Sequence, residues 1–522
     1  MTTLTPRPPY TSEELQSLYP ASLELQQVQI LLRHGERSPV SARFQNTGLP
    51  AFWPYCNAVR HLKSAVLDRP SPSSPSSSAN PRHFTTLEWK RRLETFGDRD
   101  NGPVLATGPG GELDGVCEPG MLTDRGRETT LELGARLRRL YVEQLRFLPP
   151  VLGDADAAGL YLRATPIPRA LDSVQETFTG LYPASARGAA FPPPAILNRA
   201  PGDETLFPND SNCRRFAALS RAFAHRAAER WNATDEMAYL SKLYGKWMPE
   251  GSAGRVAVDS RPRLSGIMDT INATLAHGPE TRLPKEFYDA KGREIVEKIG
   301  VEEWFAGYKE SKEYRMLGIG GLMGDVVGRM VGSAEHSPAA GRGATPIRFG
   351  LSGCHDTTLA AVLSSLGAFE RNEWPPFTSH IAIEMFRKGE TPNPTGTSAI
   401  PPIEDGNSSA SASAKPSWFS SLFGTKSGNP PPGIGHKRTD ELTANEKAKL
   451  EGYFVRLRYN DEVVSVPGCK PTGKHLEGDE SFCTLAAFKA IVDKYAPHDW
   501  KQQCRANVNA PAFPEKPEPA GY

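Results

Sequence analysis

The sequence predicts an α/β sandwich: a mixed sheet with helices on both faces, and an all-helical cap inserted from about residue 201 to residue 330. Three observations carry this prediction. Leu23–Leu32 (LELQQVQILL) alternates and then becomes continuously apolar, as a strand entering a buried sheet does. Gly159–Leu162 and Ile347–Leu351 repeat that short buried-strand character. Between these two, the pattern turns helical around Phe216–Trp231, Met237–Trp247, Leu264–His277 and Gly318–Val331, with no strand signal among them.

The remaining elements follow from local signals. Thr123 caps a helix whose apolar positions Leu131, Leu133, Leu137, Leu140 and Tyr141 recur near helical spacing. Thr357–Leu366 has the periodicity of another helix, and Ile381–Arg387 and Tyr453–Tyr459 read as partners in an antiparallel edge. A Ser/Pro/Gly-rich stretch at 388–446 separates those partners and reads as a disordered insert; a second such stretch, 69–82, reads as a surface excursion. Within the insert, Trp418, Phe419, Leu422 and Phe423 are out of character, either a docking element or chance apolar residues in variable sequence. At 522 residues the chain exceeds one ordinary domain. The division expected is a core in three parts (23–200, 331–387 and 447–505), the cap at 201–330 and the insert.

Lys plus Arg (61) nearly balances Asp plus Glu (60), so no global field draws the protein to nucleic acid or an anionic membrane. Attraction for an anion must therefore be local. No stretch approaches the ~20 apolar residues of a membrane span, and the first 22 residues, with Glu13 and Glu14, lack the apolar run of a secretory signal. The seven cysteines are odd in number and form no CxxC pair, which suits reduced thiols better than a disulfide framework. The expected location is cytoplasmic, with mitochondrial as the alternative. The sequons at Asn209, Asn232, Asn272 and Asn407 then read as chance matches.

The chemistry gathers where three strands end: Arg33-His34-Gly35, Arg163 and His355-Asp356. Parallel strands place ligands outside their carboxyl ends. A phosphate monoester is a dianion whose transition state spreads charge over three equatorial oxygens, and fixed guanidinium forks suit that charge. In RHGERSP, Gly35 allows a tight turn and Arg33 and Arg37 flank His34, so both guanidiniums converge on one anion. A neutral His34 imidazole attacks phosphorus, Asp356 protonates the leaving alkoxide, and His355 adds a donor to the phosphoryl oxygens. Taken singly, each motif is weak, because an RHG phrase, an isolated arginine and a His-Asp pair are all common structural features. Their conjunction after three strands is what carries the reading. The other histidines show no ligand spacing, so neither metal nor cofactor is expected. The glycine run Gly318–Gly324 lacks the lysine of a phosphate loop and reads as close helix packing. Glu36 reads equally as a pocket-side anion and as a solvent-facing one.

These residues resemble the histidine acid phosphatases of the phosphoglycerate-mutase-like superfamily. The resemblance rests on RHGERSP at 33–39, Arg163 in RATPIPR, and His355-Asp356 in GCHDTTL, and extends through LTDRGRETTLELGARLRRLY, GLYP at 180–183, WPPFTSHIAIEMF at 374–386 and the region of Cys469–Cys483. It implies a phosphoglycerate-mutase-like three-layer sandwich and a phosphohistidine route, with His34 as nucleophile, Asp356 as proton donor, and Arg33, Arg37, Arg163 and His355 as phosphate ligands. Within the family the chain looks most like the lysophosphatidic-acid phosphatase branch, through LFPNDSNC at 206–213. That implies a small-molecule phosphate-monoester substrate, with lysophosphatidate as the candidate. A phospho-ligand-binding protein on the same fold, or a phytase- or mutase-type relative, is the alternative. Pro166 stands where the family carries an acidic residue after Arg-x-Thr, so Arg163 is expected to lack that support. Cys469 and Cys483 resemble positions oxidised in secreted relatives, and the sequence leaves open whether they are thiols or a disulfide here.

Overall fold

The computed structural model describes residues 2–68, 84–97, 102–335, 346–389 and 433–522. Its main sheet runs in the order His475–Leu476, Asp479–Thr484, Tyr453–Tyr459, His380–Lys388, Leu23–Arg33, Phe349–Cys354, Leu160–Ala164 and Ile196–Leu197, with Glu462–Val464 paired beside Tyr453–Tyr459. The last four strands of that order are parallel to one another and the other pairings are antiparallel, so the sheet is mixed, as expected.

Leu23–Arg33 lies at the junction of the two halves and is buried along its last seven residues, which is why its sequence abandons alternation. Val28, Ile30 and Leu32 enter an apolar cluster with the helices Asp124–Arg138 and Pro168–Leu181. Leu31 points the other way, into a cluster shared with the helix Asp356–Ser365 and the helices of the cap region. The cap and the sandwich therefore share one continuous core. Asp124–Arg138 and Pro168–Leu181 meet backbone to backbone: a Cβ on Gly134 would lie 2.0 Å from the Thr177 carbonyl oxygen, and one on Gly180 would lie 2.0 Å from that of Leu131. This contact fixes where the first turns of both helices sit, and both first turns reach the site described below.

Among the described residues there is no strand between Leu197 and Phe349. The helices there are Arg214–Trp231, Asp235–Tyr244, Leu264–Leu275, Ala290–Glu310, Lys312–Arg315 and Gly321–Glu335. The glycine run packs closely, as read from the sequence: Gly318 lies against Tyr308 and Phe216, and Gly320 against the Tyr495 carbonyl.

Three expectations need correction. Leu62–Leu67 with Phe84–Trp89, and Glu94–Phe96 with Pro103–Leu105, form two small hairpins that the sequence did not announce, and they leave Leu67, Phe84, Leu87, Trp89 and Phe96 exposed. Residues 433–446, expected as the end of the disordered insert, form short helical turns that bury Ile434 and Leu442; the rest of that insert, with Trp418, Phe419, Leu422 and Phe423, and the 69–82 stretch lie outside the described residues. The cysteines are not a set of thiols: Cys56–Cys117, Cys213–Cys504 and Cys469–Cys483 are disulfides, and only Cys354 is free and buried. The partners stand 61, 291 and 14 residues apart, so their spacing does not reveal them. Alkylation of the denatured, unreduced chain is expected to label one thiol, Cys354, and all seven cysteines only after reduction. Seven labelled thiols before reduction would contradict the pairing.

Candidate active site

The carboxyl ends of three parallel strands assemble the site. Arg33 pairs in register with Cys354, and Ala164 with Gly353, so residues 33–34, 163–165 and 355–356 stand side by side at one sheet edge. The His34 amide donates to the Cys354 carbonyl at 3.2 Å, and the Thr165 amide to that of Gly353 at 3.1 Å. Beyond Gly35, the chain turns against the first turn of Asp124–Arg138. The close approach, rather than a special dihedral, is what requires glycine there: a Cβ on Gly35 would lie 2.2 Å from the Gly126 carbonyl oxygen.

His34 is 1% exposed. Its Nδ1 lies 2.8 Å from the Gly35 carbonyl oxygen, which can only accept, so Nδ1 carries the proton and the lone pair is left on Nε2. Burial, with the positive charges of Arg169, Arg33 and Arg37, pushes the imidazole well below the usual histidine value, so it is neutral at ordinary pH. The Phe377 ring is a shared floor: the Arg33 guanidinium stacks 4.1 Å and that of Arg37 5.7 Å from its centre, and the His34 ring is 5.9 Å away. The His355 ring sits edge-on to His34 at 5.5 Å, and its Nε2 is 3.2 Å from the Thr165 hydroxyl.

Asp356 begins the helix Asp356–Ser365. Its Oδ2 pairs with Arg33 Nη2 at 2.8 Å and accepts from the Trp374 indole N–H at 3.0 Å, and its Oδ1 accepts from the Thr357 amide. Burial by itself raises this carboxyl's pKa; Arg33, Arg37 and the Trp374 N–H outweigh burial, and the net shift is downward.

The sequence-predicted residues thus meet at one place, with one distinction. Arg33, His34, Arg37, His355 and Asp356 surround a common point, whereas Arg163 joins from the neighbouring strand and makes its own contacts with Glu204, with Thr205 at 3.2 Å and with Asp325 at 3.5 Å. The expectation that Pro166 leaves Arg163 without acidic support is overturned, because Glu204, fully buried, supplies the carboxylate to Arg163 from a different segment. Glu204 is itself held by the Thr205 and Leu206 amides at 2.8 and 2.7 Å.

Asp269, on the cap helix Leu264–Leu275, was equally unforeseen. It binds Arg37 at 2.7 Å, Arg43 at 3.1 Å and the Val40 amide at 3.1 Å, and so ties the cap to the arginines around His34. Glu36 is buried rather than solvent-facing, accepting from the Thr129 hydroxyl at 2.6 Å. Neither Glu204 nor Asp269 belongs to a motif; the acidic residue nearest the LFPNDSNC phrase was the one available signal for Glu204.

A neutral buried imidazole with a free Nε2, within a shell of guanidiniums and beside a carboxyl group, defines a site for a phosphoryl anion. Residues 24–399 match the family model "Histidine phosphatase superfamily (branch 2)". The chain belongs to that superfamily and is a hydrolase of phosphoric monoesters, an acid phosphatase. It is 34% identical, over 93% of its length and 95% of the relative's, to a protein of Schizosaccharomyces pombe named as a probable acid phosphatase. Lysophosphatidic acid phosphatase type 6 of Homo sapiens is 24% identical over 71% of this chain and 75% of that one. Among solved structures, the Hafnia alvei phytase apo form superposes with a TM-score of 0.48 at 11% identity, covering 93% of this chain and 99% of that one.

Proposed function

We propose that the enzyme hydrolyses its substrate through a phosphohistidine on His34 Nε2, and that the substrate is a lysophosphatidate-type monoester with an apolar alcohol. The observation that carries the first part is the Nδ1–Gly35 hydrogen bond, which presents the lone pair of a neutral ring. Nε2 attacks phosphorus, the ester P–O bond breaks, and the leaving oxygen takes its proton from Asp356. Asp356 then takes a proton from water, whose oxygen attacks phosphorus as the P–N bond breaks, releasing phosphate and neutral imidazole.

In the free enzyme, Arg33 holds Asp356 ionised, so the donor is loaded by the substrate. A monoester monoanion, with its second pKa near ~6, brings the proton, and its charge competes for Arg33 and raises the Asp356 carboxyl. Activity is therefore expected to fall as pH rises above about 6, where that proton is lost, and to persist on the mildly acidic side. Asp356→Asn should slow esters of poor leaving groups by roughly a hundredfold or more, and activated aryl esters far less, while flattening that pH dependence. Equal losses on both substrate types in steady-state assays would count against the donor assignment.

The apolar alcohol is supported by an aromatic wall of Phe216, Trp304, Phe305, Tyr308 and Tyr314 in a cavity of about 650 Å³, which is also lined by the charged Asp210, Arg221, Asp259, Arg263 and Glu303 and by Thr357, the neighbour of Asp356. Its wall is joined to the donor side, since Trp304 packs edge-on against Trp374, which binds Asp356. A volume of this order suits a ligand of lipid or drug size. Lysophosphatidate, sugar phosphates, inositol phosphates and phosphopeptides assayed side by side test this reading: kcat/KM highest for lysophosphatidate is expected, and preference for a sugar or inositol phosphate would contradict it. The three disulfides support folding in an oxidising compartment in place of the cytoplasmic location expected from the cysteine count. Fractionation with the chain in a thiol-reducing compartment would contradict that.

A further inference from the structure

We infer that Arg169 is a fourth phosphate-binding guanidinium, the one whose counter-ion is the substrate itself. The inference rests on the phosphoryl site proposed around His34. It starts from how charge is paired there. Arg33 has Asp356, Arg37 has Asp269 and Arg163 has Glu204, each carboxylate arriving from a different segment. Each of these arginines thus has a carboxylate against it before any substrate arrives, with Asp269 shared between Arg37 and Arg43. Among the described residues, Arg169 forms no ion pair; Nη1 makes a long hydrogen bond of 3.4 Å to the Gly120 carbonyl, and Nε is buried without a partner.

Its position is fixed by the same contacts that build the site. Arg169 is the second residue of the helix Pro168–Leu181. Its carbonyl accepts from the Ser173 hydroxyl at 2.7 Å, and that hydroxyl accepts from the Gly35 amide at 3.1 Å. The next residue is pressed on the strand Phe349–Cys354 that leads into His355, for a Cβ on Gly353 would lie 2.6 Å from the Ala170 carbonyl oxygen. The first turn of this helix is therefore wedged between the segments bearing His34 and His355, and its N-terminal dipole adds to the same positive field.

The electrostatics agree with the geometry. After burial, Arg169 is the largest charge acting on both the His34 and the His355 rings. Burial, and then the like charge of Arg37, bring Arg169 itself down to about 10. A largely buried guanidinium without a carboxylate is unfavourable. A dianion at His34 relieves that cost, and it places a guanidinium where the three paired arginines leave charge to be met.

The test reads inorganic phosphate binding by calorimetry, which needs no turnover, and steady-state kinetics on an aryl phosphate. Arg169→Gln is expected to weaken phosphate binding about 10- to 100-fold, the loss of one charge-assisted hydrogen bond, and to raise KM by a similar factor with a smaller change in kcat. Arg169→Lys keeps the charge and is expected to recover most of that affinity. Arg169→Gln binding phosphate as tightly as the parent overturns the inference. So does Arg169→Lys binding as weakly as Arg169→Gln with both melting lower, because that pattern marks a role in packing. If the parent bound phosphate and hydrolysed nothing, the proposed reaction would fail while the Arg169 inference would still be decided by binding.

Discussion

Replacing His34 with Ala is expected to lower kcat on any phosphate monoester by about four orders of magnitude or more, as deletion of a covalent nucleophile does. The effect should be large because nothing adjacent can take over: His355 is the other ring at the site, and its Nε2 is engaged with the Thr165 hydroxyl. The loss should fall on kcat and not on phosphate affinity, since the arginines proposed to bind the anion are held by their own carboxylates and by the Phe377 ring. Single-turnover quenching at alkaline pH, where a phosphohistidine survives, should trap label on the parent and none on His34→Ala. A variant that retained a tenth of parental turnover would remove His34 from the mechanism.

Glu204→Ala is expected to produce the second-largest effect, in stability as well as rate. Glu204 and Arg163 are both essentially unexposed, and truncating Glu204 leaves the buried guanidinium only its longer contact with Asp325, at a cost of up to about 3–5 kcal/mol. The Thr205 and Leu206 amides lose their acceptor at the same time. Arg163 is then free to turn toward Asp325, 3.5 Å away, and phosphate affinity should fall roughly tenfold or more. Glu204→Gln, which retains an acceptor, should lose less stability than Glu204→Ala. Chemical denaturation together with phosphate binding checks both; a Glu204→Ala protein as stable as the parent would show that the pair carries no such weight.

The strands that deliver the chemistry were legible because burial on both faces forces a continuous apolar run, and each run stops where a charged motif begins. Leu23–Arg33, Leu160–Ala164 and Phe349–Cys354 are all of this kind. The supporting carboxylates were not legible, for a physical reason. Glu204 and Asp269 act only through tertiary contact, from a loop and from a cap helix, and nothing in their local spacing distinguishes them from surface acids. Arg169 stood in plain view within RATPIPR, yet its distinguishing property is the lack of a carboxylate partner among the described residues, which only coordinates reveal. The helix Ala290–Glu310 escaped notice because it is buried on several sides, at Ile295, Val296, Ile299, Val301 and Phe305, so its pattern has no single apolar stripe. The hairpin Leu62–Leu67 with Phe84–Trp89 escaped because its strands flank the Ser/Pro-rich stretch that dominates the local composition.

The cap reaches the site itself. Asp269 binds Arg37 directly, so any change in how the cap helix Leu264–Leu275 seats is transmitted to that guanidinium. The cavity walled by Trp304 and Phe305 sits on cap helices and borders Thr357, the residue after Asp356. On the proposed reading, substitutions in the cavity wall should alter KM for lipid-like esters before they alter turnover of small aryl phosphates.

The most direct measurement is a crystal structure of the enzyme with vanadate, which mimics the five-coordinate phosphoryl group. Vanadium at covalent distance from His34 Nε2, with its oxygens on Arg33, Arg37 and Arg163 and its apical oxygen facing Asp356, is the predicted outcome. Vanadate bound elsewhere, or centred on the arginines but out of reach of that nitrogen, would contradict the account.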